Sequence, residues 1–64
     1  MEFNLKKVRN EQGLSQQELA EKSGVSRITI SRLETGELKE TNAGTLVKLA
    51  KVLQVSINEL VKVS

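Results

Sequence analysis

Residues 15–36 read SQQELAEKSGVSRITISRLETG, and the punctuation of this stretch decides the fold. Ser15 and Glu18 form the Ser-x-x-Glu pattern, in which the hydroxyl takes a free backbone N–H of the first turn and the carboxylate reaches back to the cap. A helix is therefore predicted from near Gln16. It carries Leu19 and Ala20 inward and stops at Ser23-Gly24, where glycine can take the left-handed conformation of a tight reversal. Ser26 caps the next helix. Ile30 and Leu33 repeat at helical spacing until Thr35-Gly36 supplies a second stop.

The same rules extend outward from this pair. Upstream, Leu5, Val8, Arg9 and Gln12 fall at helical spacing with Met1 one turn earlier, and Gly13 closes a helix over about residues 4 to 12. Downstream, 37–42 is polar except for Leu38 and reads as an exposed connection, with Thr41 or Asn42 available as a cap. Leu46, Leu49, Ala50 and Leu53 mark a fourth helix by their i, i+3, i+4, i+7 spacing. Val55 plugs the core behind it. Ser56 and Glu59 repeat the capping pattern and open a short fifth helix with Ile57 and Leu60 inward. No alternating strand pattern occurs, so the expected fold is all-α, a compact five-helix bundle in one domain over 1–64.

Composition limits the chemistry. A 64-residue chain buries only about 60% of the surface its unfolded form exposes, so stability must come from an efficiently filled core. There is no cysteine, histidine or proline. Disulfides, thiolate or imidazole metal sites and histidine acid–base catalysis are thereby excluded, and neither a cofactor nor a metal is expected. No apolar run exceeds two residues, against the ~20 that a membrane span needs, and the start lacks the apolar stretch of a signal peptide. A cytoplasmic location without membrane contact is expected. The net charge is only +2 and Phe3 is the sole aromatic residue, which argues against single-strand binding by stacking. Duplex binding stays open, and the placement of charge must decide it.

At roughly 100° per residue, Ile30 and Leu33 lie on one side of the third helix, with Ser26 and Thr29 near them, and face the core. The opposite arc holds Arg27, Ile28, Ser31, Arg32 and Thr35. Two cations share it with hydroxyls and one β-branched residue, and neither is matched by an acid along the helix. Each residue type has a partner in the major groove: arginine for guanine O6 and N7, hydroxyls for bases or phosphates, isoleucine for a thymine methyl. A chance solvated face is the competing reading of the arc taken alone.

The stretches Ser15-Gln16-Gln17-Glu18-Leu19-Ala20, Gly24-Val25-Ser26 and Ile30-Ser31-Arg32-Leu33-Glu34-Thr35-Gly36, followed by residues 46–60, closely resemble the phage repressor/Cro (Xre) type of helix-turn-helix. The resemblance covers nearly the whole chain and implies a lambda-repressor-like DNA-binding domain. It implies that helix 3 enters the major groove while helix 2 lies across the backbone. The family's reading positions fall on Ser26, Arg27, Ile28, Ser31 and Arg32. Gln16 matches a phosphate contact at the start of helix 2, where free N–H groups and the helix dipole assist. Gln17 has the weaker claim to a contact. Thr35 and Lys39 are further candidates, and Thr41 and Asn42 lie where they can meet the DNA backbone.

Arg9 and Glu34 each sit on or beside an apolar helix face, where an unpaired charge would cost several kcal/mol. They are expected to pair, and the resemblance implies the same bridge between helices 1 and 3. The connection after Gly36 departs from the family pattern: Glu37 and Glu40 flank Lys39, and acids beside phosphate are repelled, which lowers the expected affinity. Gly44 has no explanation at this level. The resulting expectation is a small transcriptional regulator, a repressor, acting as a homodimer on a palindromic duplex operator with half-sites roughly 34 Å apart. Leu60, Val61 and Val63 are the candidate dimer contacts. The alternative is an antitoxin-like or adaptor module whose main partner is another protein. A free-standing enzyme is not expected, since its chemistry would rest on Ser, Lys and Glu with no evident small-molecule pocket.

Overall fold

The computed structural model describes residues 2–62. Five helices follow one another: α1 (Leu5–Glu11), α2 (Gln16–Ser23), α3 (Arg27–Thr35), α4 (Ala43–Leu53) and α5 (Ile57–Leu60). The helical architecture is the one that the spacing predicts. Two short segments, β1 (Glu2–Phe3) and β2 (Val61–Lys62), pair antiparallel and join the two ends of the described chain. The clasp continues where the Asn4 N–H donates to the Leu60 carbonyl at 2.8 Å. Two-residue strands are too short to show a period of two, which is why the sequence pattern missed them.

The caps explain the helix boundaries. Ser15 Oγ accepts the Glu18 N–H at 3.0 Å, and Glu18 Oε1 accepts the Ser15 N–H at 3.1 Å. The bond from the Ser15 N–H, aided by the Ser15 side chain, stabilises the ionised carboxylate and holds the Glu18 carboxyl below its ordinary value. Ser26 Oγ accepts from the Thr29 N–H, and Asn42 Oδ1 from the Thr45 N–H at 2.8 Å. At α5 the Glu59 carboxylate accepts the Ser56 N–H. The choice between Thr41 and Asn42 thus falls on Asn42, and this resolves Gly44. A Cβ at position 44 would approach Asn42 Oδ1 to 3.3 Å, so the absent side chain leaves the capping oxygen undisturbed.

Gly24 and Gly36 take positive φ, +75° and +84°, which side-chain-bearing residues adopt only at a cost. They stop α2 and α3 as expected.

The core gathers one stripe from each helix. Leu5, Leu19, Ile30, Leu33, Leu49, Leu53 and Leu60 are almost wholly buried, joined by Val8, Val25 and Ala50. Burying a side chain of this size contributes about 1.5–3 kcal/mol. With no tryptophan or tyrosine, these aliphatic groups carry most of the apolar burial. Val25, in the turn between α2 and α3, was not anticipated as a core residue; its burial pins the turn to the body of the domain. Conversely, Leu60 is only 1% exposed, so it is a core residue and not a surface for a second chain. Val61 is half-buried and pairs with Phe3, and Val63 lies outside the described residues.

Candidate nucleic-acid interface

The turn between α2 and α3 fixes how α3 is presented. The Gly24 N–H closes on the Ala20 carbonyl at 2.9 Å, Ser23 Oγ donates to the Leu19 carbonyl and accepts the Val25 N–H. With Val25 anchored, α3 leaves the turn in one direction. Its inner side holds Ile30 and Leu33, with Thr29 half-buried. Ser26, expected near the inner side, is exposed. It is the cap ahead of the helix and does not follow the helical phase.

On the outer side Arg27, Ile28, Arg32 and Thr35 are exposed, Ile28 by 65%, and Ser31 is half-buried. Gln16, Arg27, Ile28, Ser31, Arg32 and Glu37 together line one open cleft of about 420 Å³. The other candidates fall outside this group. Gln17 donates to Glu21 within α2 at 3.2 Å, Thr35 Oγ1 donates to the Arg32 carbonyl, and Lys39 is exposed in the connection. The Ser26 hydroxyl is engaged at the helix start.

Glu37 lies in the connection, as the sequence reading has it, but its pairing with Arg32 is what that reading missed. It stands 3.7 Å from Arg32 Nε, with the two side chains 52% (Arg32) and 66% (Glu37) exposed. The cause is the reversal at Gly36, completed when the Leu38 N–H donates to the Arg32 carbonyl at 3.0 Å. This bond folds the chain back over the last turn, and the partly buried Leu38 packs against the core. A helical wheel stops at Thr35 and cannot show it. The signal available in sequence was the Gly36–Leu38 pair, a helix stop followed by an apolar anchor.

Behind the cleft lies the Arg9–Glu34 pair. Arg9 Nε and Nη2 donate to the two Glu34 oxygens at 2.7 and 2.9 Å, with the side chains 10% (Arg9) and 3% (Glu34) exposed. Arg9 Nη1 donates to the Leu14 carbonyl at 2.7 Å, and Gln16 Nε2 donates to Glu34 Oε1 at 3.1 Å. Burial alone would push the Glu34 carboxyl up. The hydrogen bonds from Arg9 and Gln16, with the charges of Arg9 and Lys6, outweigh it and hold the group below its ordinary value. The bond to Glu34 in turn raises Arg9. One network thus ties α1, the turn after it, the start of α2 and the end of α3, and Gln16 belongs both to this network and to the cleft.

A second cleft, about 330 Å³, opens between α1 and α5, with Asn4, Lys7, Glu11, Asn58 and Glu59 among its lining. The sequence showed no pocket because these helices are far apart along the chain. Its lining mixes both signs of charge with two apolar side chains, Val8 and Val55. Among the described residues no helix is long and apolar enough to cross a membrane.

A capped helix pair with a basic, hydroxyl-bearing outer arc, locked from behind by an ion pair, defines a helix-turn-helix domain. Residues 5–60 match the family described as helix-turn-helix, and the chain belongs to that family. The family and fold are those of DNA-binding transcription regulators, which are not enzymes. Among its relatives is the uncharacterized HTH-type transcriptional regulator YqaE of Bacillus subtilis (strain 168), 37% identical over 59 residues, covering 92% of this chain and 50% of that protein. The chain thus spans about half the length of this relative. Among solved structures it is similar to SinR, described as the master regulator for biofilm formation, in complex with DNA, with TM-score 0.84 and 36% identity over 86% of this chain and 87% of the other. It is also similar to a chain of the SinR–SinI protein complex, with TM-score 0.82 and 36% identity over 86% of this chain and 53% of that one.

Proposed function

We propose that residues 1–64 act as one DNA-binding unit of a transcriptional repressor, placing α3 in the major groove of a specific duplex operator. The observation that carries this reading is the cleft in which Gln16, Arg27, Ile28, Ser31 and Arg32 meet. Two guanidinium groups can pair with guanine, and Ile28 can meet a thymine methyl. Ser26 is included with the reading positions, and Gln17, Thr35 and Lys39 are included as secondary contacts. The Arg9–Glu34 pair orients α3 and reads no base. A cytoplasmic location is part of the same proposal. A single reading helix covers few base pairs, so a homodimer on a palindromic operator with half-sites about 34 Å apart is part of the proposal.

The protein-adaptor reading is the weaker one. SinR is known in complex with a protein, but the exposed large apolar side chains here, Ile28 and Val47, lie on different helices. Among the described residues these two are the exposed large apolar side chains, whereas a dedicated protein surface presents a broad apolar patch. Selection from a random duplex pool followed by sequencing tests the reading. An enriched palindrome is expected, and recovery of sequences indistinguishable from the starting pool would overturn it.

A further inference from the structure

We infer that Glu37 is a specificity-determining residue of the α3 face, one that restrains Arg32 from phosphate and accepts a hydrogen bond from a cytosine amino group in the operator. The inference rests on the proposal that this face enters the major groove. Glu37 is held in place from both sides. Gly36 reverses the chain before it with φ +84°, and Leu38 behind it is fixed by its bond to the Arg32 carbonyl and by packing on the core. The carboxylate therefore stands over the cleft and 3.7 Å from Arg32 Nε.

The chemistry of the groove separates the environments this carboxylate can meet. Phosphate repels it. Guanine offers two acceptors, thymine an acceptor and a methyl, and adenine a donor beside the N7 acceptor. In the duplex adenine N6 lies between two acceptors, its own N7 and the paired thymine O4, whereas cytosine N4 has an acceptor on one side only, the paired guanine O6. An acid in this position thus opposes binding in every register except one that brings cytosine N4 to it. Arg27 makes no ion pair among the described residues, whereas the attraction of Arg32 to a phosphate is offset in part by the repulsion between that phosphate and the carboxylate beside it. At the matching site Arg32 turns to a guanine while Glu37 takes a cytosine. At other sites both are left poorly matched. The low net charge of +2 then goes with selectivity, because non-specific affinity for DNA is set mainly by cations on phosphate.

The test compares the full chain with Glu37→Ala and Glu37→Gln on the selected duplex, on every single-base-pair variant of it and on a scrambled duplex, each at two salt concentrations. Melting of the variants should match the parent, since Glu37 is exposed. Glu37→Ala is expected to bind the scrambled duplex more tightly and to lose about tenfold discrimination at one C·G pair. Glu37→Gln should shift the preference at that pair toward adenine, the usual partner of an amide side chain. Uniform strengthening on every duplex with base preference unchanged would make Glu37 a merely repulsive charge and overturn the inference. If the parent protein itself fails to distinguish selected from scrambled duplex, the proposed function fails and this inference with it. Discrimination by the parent that survives both substitutions refutes only the role of Glu37.

Discussion

Two arginine–glutamate pairs meet on α3, and their chemistry is the same while their surroundings are opposite. Arg9 and Glu34 are enclosed, joined by two parallel hydrogen bonds and supplemented by the Leu14 carbonyl and the Gln16 amide. Arg32 and Glu37 are open to water and meet at a single long contact. Removing charge from water is costly, so the enclosed pair persists only because nearly every donor and acceptor in it is used. The open pair loses little when it separates, since exposed ion pairs contribute only ~0.2–1 kcal/mol. The first arrangement suits a strut and the second a contact that can be exchanged for another partner.

The contrast is most severely tested by cutting each pair in turn. Glu34→Ala leaves the Arg9 guanidinium enclosed without its partner and should destabilise the fold by about 3–5 kcal/mol, read by denaturant or thermal melting; an unchanged melt would remove the strut. Arg9→Ala should act in the same direction. On the other side of α3, Arg27→Ala and Arg32→Ala should each reduce affinity for the selected duplex by about 1–3 kcal/mol while leaving melting nearly intact. Equal weakening on all sequences would assign both arginines to phosphate.

Acid provides a graded version of the first cut. The Glu34 carboxyl lies lower in the folded chain than in the unfolded one. The unfolded state therefore binds the proton more readily, and stability falls with falling pH. The contribution of Glu34 is fully present above its unfolded value, about 4.3, and is lost as pH drops through the lower folded value. The melting difference between the parent and Glu34→Gln should be constant near neutrality and shrink below pH ~4; a difference that grows on acidification would contradict the assignment. The smallest effect belongs to the open pair. A double-mutant cycle on Arg32 and Glu37 should give a coupling to stability of no more than ~0.5 kcal/mol, and a larger value would mean that this contact, too, is structural.

What could be read from the sequence was local. Serine caps, the Ser15–Glu18 box and the glycine stops act within one turn of the chain, so the α2 and α3 boundaries and the inner stripe of Ile30 and Leu33 were accessible from residue order alone. The outer arc followed from helical phase. What escaped depends on chain reversals or distant segments. Glu37 reaches Arg32 only through the turn at Gly36, Gln16 reaches Glu34 only once α2 and α3 are packed, and Phe3 meets Val61 from the far end of the chain. Leu60 was divided between core and dimer surface because apolarity does not tell a residue that packs inside one chain from one that packs between two. Gly44 was opaque for a simpler reason: a Cβ there would crowd the Asn42 oxygen at 3.3 Å, and an absence of atoms has no pattern.

The pairing of residues 2–3 with 61–62 brings the two ends of the described chain side by side. A short linker could join them, and the chain could be reopened in the exposed connection between Lys39 and Glu40. Such a circular permutant would begin at α4 and finish just beyond α3, with α3 made last in synthesis and the same packing around it. The order in which these helices are written is therefore separable from the order in which they touch.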